Sequence, residues 1–147
     1  MSAFIGSSDE FPLSFYMKRV KGRSLDIVTE DDNLTEAAAQ KLINSEYTKM
    51  NVMFKLLTWG ENNRIERECV TIDPETNMRY MDGYAYDAKL LSSVIKSWDF
   101  KIKNNQGDIV PVDPEVSVVK KMHPKLAEYL LSKYREEGEV GDSDEKK

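Results

Sequence analysis

Apolar residues recur along this chain with two different periods, and each change of period marks a new element. Over Leu13–Val20 the apolar positions Leu13, Phe15 and Met17, with Val20 at the end, partly alternate with their neighbours, as on one face of an extended strand. Lys21-Gly22-Arg23 can turn the chain, and Leu25-Asp26-Ile27-Val28 can return it as a second strand. This hairpin lacks the Asn-Gly or Asp-Gly pair that most strongly specifies a tight turn. From Leu34 the period lengthens. Leu34, Ala38, Leu42, Tyr47, Met50, Phe54 and Leu57 recur at three- to five-residue steps, as one helical stripe would. Asn33 is placed to cap that helix, Glu36 to bond back to the Asn33 amide, and Gly60 after Trp59 to stop it. The spacing predicts one helix over 34–58. A competing reading breaks it near Asn51 and makes Val52–Leu57 a strand, because short apolar runs fit either period.

Further on, Glu68–Ile72 reads as a short strand, Asp73-Pro74-Glu75-Thr76-Asn77 as a turn, and Met78–Met81 as its returning partner. Asp87 is expected to cap a helix whose apolar face is Leu90, Leu91, Val94, Ile95 and Trp98. Phe100–Lys103 and Ile109–Val112 are extended pieces on either side of a turn at Asn104–Asp108. Asp113-Pro114 is expected to open a helix with proline in its first position. Pro124 is expected to start a last helix, which carries Leu126, Tyr129, Leu130 and Tyr134 and ends at Gly138. No internal repeat or heptad run is present. Residues 1–12 read as a flexible leader, 13–138 as a single domain, and 139–147 as a charged, disordered tail. The expected fold class is α+β: one small domain with three to four helices and one or two short β-hairpins.

Composition narrows this only slightly. The chain has 147 residues, 40% hydrophobic and 32% charged, which suits one domain with one core. Its 21 Lys and Arg against 26 Asp and Glu give a net charge of −5, which disfavours a whole-surface interaction with nucleic acid or anionic lipid. Cys69 is the single cysteine, so no intramolecular disulfide can form. The start Met1–Gly6 has neither the basic residues nor the apolar run of a signal peptide. No apolar stretch approaches the roughly 20 residues needed to cross a bilayer. These features place the protein, by expectation, in the cytosol or in a particle assembled there.

Candidate chemistry is sparse. His123 is the only histidine and precedes a proline in an expected turn. Ser14, Ser45, Ser92, Ser93 and Ser97 do not sit in a Gly-x-Ser-x-Gly context, and Cys69 lies among mixed charges and a valine. Neither Gly-x-x-x-x-Gly-Lys nor Gly-x-Gly-x-x-Gly occurs, so no phosphate cradle is recognisable. No catalytic residue and no cofactor is assigned. A structural zinc is excluded within a chain that has one Cys and one His. Glu30-Asp31-Asp32-Asn33 lacks the ligand spacing and the glycine of an EF-hand; its acids suit the positive end of a helix better, and no metal site is assigned. The best case for nucleic acid is the basic patch Lys18, Arg19, Lys21 and Arg23, which follows Phe15-Tyr16. The plainer role for such a patch is a solvated hairpin tip. Trp59 and Trp98, at expected helix ends, and Tyr129 and Tyr134 on the last helix are candidate partner-binding aromatics, although such rings also cap cores.

One stretch goes beyond generic folding signals. Leu90–Phe100 ends an apolar helix in Ser97-Trp98-Asp99-Phe100. A turn with Gly107-Asp108 follows, then Val110-Pro111-Val112-Asp113-Pro114-Glu115, and then Met122-His123-Pro124-Lys125-Leu126 opening a helix that runs on through Leu130. This order resembles small tailed-bacteriophage morphogenesis proteins, particularly the tail assembly chaperone-like proteins encoded with the structural genes. The resemblance covers about residues 88–132. It implies a non-enzymatic role: binding other phage structural or assembly proteins, such as the tail tape-measure protein, in the host-cell cytoplasm, with retention in the virion as a close variant. In this resemblance Trp98 covers a helix end, Gly107 makes a turn and Asp113-Pro114 restarts a helix; all are structural roles. The runner-up reading is a small nucleic-acid-binding or host-modulating accessory protein that uses the Lys18–Arg23 patch.

Overall fold

Alternation puts Phe11, Leu13, Phe15 and Met17 on one side of strand β1 (Glu10–Arg19), where all four join or border the core. Pro12, Ser14 and Lys18 point the other way. The computed structural model describes residues 4–6, 9–20, 22 and 24–138. Lys21, Arg23 and the tail 139–147 therefore lie outside the described residues, as do positions 1–3, 7 and 8 of the leader. β1 begins at Glu10, inside the stretch 1–12 read as leader. It pairs antiparallel with β2 (Leu25–Thr29), with Met17 opposite Ile27. Gly22 adopts φ +89° in the connection, a conformation that glycine takes without penalty.

The single helix expected over 34–58 is two elements. Helix α1 (Glu36–Asn44) stops at a turn in which Glu46 has φ 69°, and strand β3 (Thr48–Lys55) follows. Met50 and Phe54 satisfy a helical step of four, which makes the stripe continuous in sequence. They satisfy a strand step of two equally well once Val52 is added. Pairing decides between the periods: β3 lies between β1 and a later strand, with Leu13 opposite Val52 and Phe15 opposite Met50. α1 buries no residue, so a longer helix would have gained little there. Its cap is Thr35, whose hydroxyl accepts from the Ala38 amide at 3.1 Å; the Asn33 amide instead donates to Asp31.

Helix α2 (Trp59–Glu68) starts where a stop was expected. Thr58 and Glu61 form a reciprocal capping box, with the Thr58 hydroxyl accepting from the Glu61 amide and the Glu61 carboxylate from the Thr58 amide, both at 3.1 Å. Gly60 is thus in a first helical turn. The expected hairpin follows as β4 (Val70–Ile72) and β5 (Arg79–Met81), with Asn77 at φ 60° in its turn. Helix α3 (Gly83–Val94) is capped by Asp82, not Asp87; Asp87 lies within the helix and pairs with Arg135 at 2.9 Å. Ile95 and Trp98 leave the helix for strand β6 (Ile95–Trp98), so Trp98 does not cover a helix end. Strands β7 (Lys101–Lys103) and β8 (Ile109–Pro111) form the expected second hairpin, with Gly107 at φ +86°. The short helix α4 (Val116–Val119) opens at Glu115, so Asp113-Pro114 precedes it rather than starting it. Helix α5 (Pro124–Gly138) has the expected bounds.

The main sheet has the order β2-β1-β3-β6, antiparallel throughout. Together with five helices among the described residues, this is a small α+β domain. One sheet face carries Phe15, Leu25, Met50, Val52 and Phe54. It packs under Ala88, Leu91 and Val94 of α3 and Leu126, Leu130 and Leu131 of α5. The opposite face is largely polar: the Ser14 hydroxyl donates to Asn51, whose own side chain donates to Asp99, and Lys49 pairs with Glu30 at 2.9 Å.

Candidate functional site

The three segments that carry the resemblance, separate in sequence, meet around one groove. β6 brings Trp98 to the sheet edge, the β7–β8 hairpin brings Phe100, Lys101, Ile102 and Val112, and the α4–α5 connection brings Val118, Lys121, Met122, His123 and Leu126. Met17, Arg19 and Leu25 from the β1–β2 hairpin close the groove, whose volume is about 320 Å³. Leu25 and Leu126 are buried at its floor, Trp98, Phe100, Val118 and Met122 are half-buried, and Arg19, Lys101 and Lys121 are exposed at its rim. The Trp98 indole N–H donates to the Val112 carbonyl, which ties β6 to the strand after the Gly107 turn. Its ring meets Phe100 edge to face, with centroids 5.0 Å apart and planes at 87°. Phe100 in turn lies 6.3 Å from Phe15, and Phe15 lies 5.1 Å from Tyr129, so a file of rings runs from the groove into the core.

The four candidate aromatics do not form one surface. Tyr129 belongs to that file: its hydroxyl shares a hydrogen bond with Thr29 at 2.8 Å, and burial pushes its phenol above the ordinary range. Tyr134 packs on Phe11 and Phe54, at 6.0 and 5.7 Å. It also borders a second cleft of about 350 Å³ with Leu57, Asn62, Tyr86, Arg135 and Trp59. Trp59 is 85% exposed there, at the start of α2 rather than the end of a helix. Structure therefore brings Trp59 and Tyr134 together, gives Trp98 to the groove, and packs the half-buried Tyr129 against the core.

The basic patch divides for a similar reason, because neighbours on a strand face opposite sides. Arg19 lines the groove. Lys18 lies on the other face, where its ammonium donates to the Ser45 carbonyl at 2.6 Å and sits 5.7 Å from the Tyr47 ring. Phe15 and Tyr16 are buried and offer no open ring face to a base. Lys21 and Arg23 lie outside the described residues.

The remaining groups are held by ordinary structural contacts. Cys69 is buried, and burial, reinforced by the nearby Asp82 charge, pushes its thiol up and disfavours the thiolate. In the acidic run, the Lys49 hydrogen bond holds the Glu30 carboxyl below its usual range, and Tyr16 also donates to it. Among the described residues, no group of three or more His, Cys, Asp or Glu is placed to hold a metal ion, and no helix is long and apolar enough to cross a membrane.

A second surface went unrecognised in the sequence. The β4–β5 ribbon is a separate two-stranded sheet. Val70 and Ile72 share one of its faces with Met81, and Tyr80 lies on the other. Val70, Ile72, Tyr80, Met81 and the turn residue Met78 are all exposed, from 44% at Val70 to 68% at Met78, and Tyr84 follows in the first turn of α3. The turn chemistry of Asp73–Asn77 predicts the hairpin, but it cannot tell that neither face is covered.

Fold and surfaces together define a small α+β domain with a cation-rimmed apolar groove and a projecting apolar ribbon. No protein-family model, curated protein or solved structure matches the chain.

Proposed function

We propose that this chain is a bacteriophage virion-morphogenesis protein that works by protein–protein contact in tail assembly, and that its work is recognition rather than bond-making. The observation that carries this reading is the β4–β5 ribbon. A two-stranded hairpin is marginal in water by itself, and this one displays Val70, Ile72, Met78, Tyr80 and Met81 to solvent. Val70, Ile72 and Met81 are neighbours on one face of it, and an exposed apolar cluster of this kind marks contact with another macromolecule. The phage setting rests on the resemblance over residues 88–132, which makes other structural or assembly proteins, the tape-measure protein among them, the expected partners in the host-cell cytoplasm.

Affinity capture of the tagged full-length chain from infected cells, read by mass spectrometry, tests the reading. Tail and other virion proteins should be enriched with the wild type. They should be lost with the double variant Ile72→Asp/Met81→Asp, whose circular dichroism should remain native because both positions are exposed. The proposal fails if the wild type enriches no virion protein. Salt-sensitive retention on a DNA column that is lost with Arg19→Glu would favour the nucleic-acid reading instead.

A further inference from the structure

We propose that the groove beside Trp98 receives an acidic segment of a partner protein, anchored by one or two bulky apolar side chains. This rests on the protein–protein reading above and names the chemistry of one partner surface. Its floor is Met17, Leu25, Trp98, Val118, Met122 and Leu126, and about 320 Å³ is room for side-chain anchors rather than for a folded domain. The rim supplies the charge preference. Arg19, Lys101 and Lys121 surround the apolar floor, and no carboxylate stands among the groove's described lining residues. Among the described residues, the ion pairs use Lys49, Lys89, Lys96, Lys133 and Arg135, while the three rim cations pair with no carboxylate. In a chain with five more acids than bases (26 against 21), the charged residues lining this apolar opening are cations alone among the described residues. Carboxylates flanking an apolar anchor would neutralise that rim as the anchor enters, which sets orientation and speeds encounter.

The floor favours a protein segment over a nucleic acid. Base stacking needs a flat ring face, but Trp98 and Phe100 are packed edge to face and the indole N–H is already given to Val112. The rest of the floor is aliphatic or thioether, and methionines such as Met17 and Met122 adapt to inserted side chains.

The test is selection of a yeast-displayed library of random 16-residue peptides on the full-length protein, with fluorescein-labelled dT20 measured in parallel by anisotropy. Enriched peptides should combine Asp or Glu with Leu, Phe, Ile or Met. Their binding should weaken at least about tenfold with Lys101→Glu/Lys121→Glu, and markedly between about 50 and 300 mM salt. Both rim lysines are exposed, so this variant should fold. Met122→Arg, which fills the floor, should abolish binding, while the ribbon variant Ile72→Asp/Met81→Asp should leave it unchanged. Enrichment without acidic bias, indifference to the rim reversal, or binding of dT20 alone would overturn the proposal. Loss of the groove proposal would leave capture of virion proteins through the ribbon intact, whereas peptide binding without any captured virion protein would overturn the assembly reading alone.

Discussion

Replacing Val52 by alanine separates a strand at 48–55 from a helix over the same residues by the sign of its effect. Val52 is 2% exposed, between Leu13 of β1 and Trp98 of β6. Truncation removes two methyl carbons from the core, a transfer loss of about 1.6 kcal/mol at roughly 0.8 kcal/mol per carbon. A residual cavity of roughly 30–40 Å³ adds about 0.7–1 kcal/mol at about 24 cal/mol per Å³. Alanine's poorer fit to a pleated strand adds a few tenths more, for a total loss of about 2.5–3 kcal/mol. On the helical stripe of Leu34 to Leu57, Val52 is not an apolar-face position. Alanine there would be neutral or would stabilise by up to about 0.6 kcal/mol, being the better helix former. Urea unfolding followed by tryptophan fluorescence and far-ultraviolet circular dichroism reads the difference, with the two probes coincident and the m-value unchanged. The corresponding fall in Tm is roughly 6–12 °C for a chain of this size. A Val52→Ala protein as stable as the wild type would refute the strand and its place between β1 and β6.

Thr58→Ala removes the hydroxyl half of the α2 capping box and should cost about 1 kcal/mol in the same assay. The Glu61 carboxyl is held below its ordinary 4.5, first by the Thr58 amide it accepts from and then by the Thr58 side chain. Its folded value is the lower one, so its stabilisation is present above the unfolded value and is lost as pH falls below 4.5 through the folded value. Unfolding midpoints at about pH 6 and about pH 3 should therefore differ less in Glu61→Gln than in the wild type, and equal pH dependence would refute the box. Trp59→Ala should leave stability within about 0.5 kcal/mol because the ring is exposed, whereas Trp98→Ala should cost about 3 kcal/mol through lost ring packing and the abandoned Val112 carbonyl. Thermal or urea unfolding of both variants checks the contrast, and the opposite order would mean that the interior and surface rings had been interchanged.

Elements with one dominant local signal were legible in the sequence. The alternation of Leu13, Phe15 and Met17, the turn chemistry of Asp73–Asn77 and Asn104–Asp108, and Pro124 as a helix start all appear in the fold where the residues placed them. Caps were less legible where several acceptors compete. Asn33, Asp87 and Asp113 are good caps in isolation, but Thr35, Asp82 and Glu115 hold those positions; for α3 the buried face of Ala88, Leu90, Leu91 and Val94 selects the first turn, whereas α1 buries nothing and starts where the Thr35 hydroxyl accepts from Ala38. Met50 and Phe54 were ambiguous in principle, since a spacing of four belongs to both a helix and a strand face.

The candidate surfaces divide along the same line. Residue chemistry by itself determined an α+β chain with short hairpins, a lone cysteine and histidine, and aromatics spread along its whole length. Which aromatics meet solvent was decided only in three dimensions. Tyr129 is drawn inward by Phe15 and Thr29, Trp59 is left outside at a helix start, and Arg19 is parted from Lys18 by the pleat of a single strand. Trp98, Lys101, Lys121 and Leu126 become neighbours because β6, the β7–β8 hairpin and the α4–α5 connection converge around one groove. Local sequence sets the direction of each side chain relative to its own element; only the pairing of β1 with β3, and of β3 with β6, sets where those directions meet.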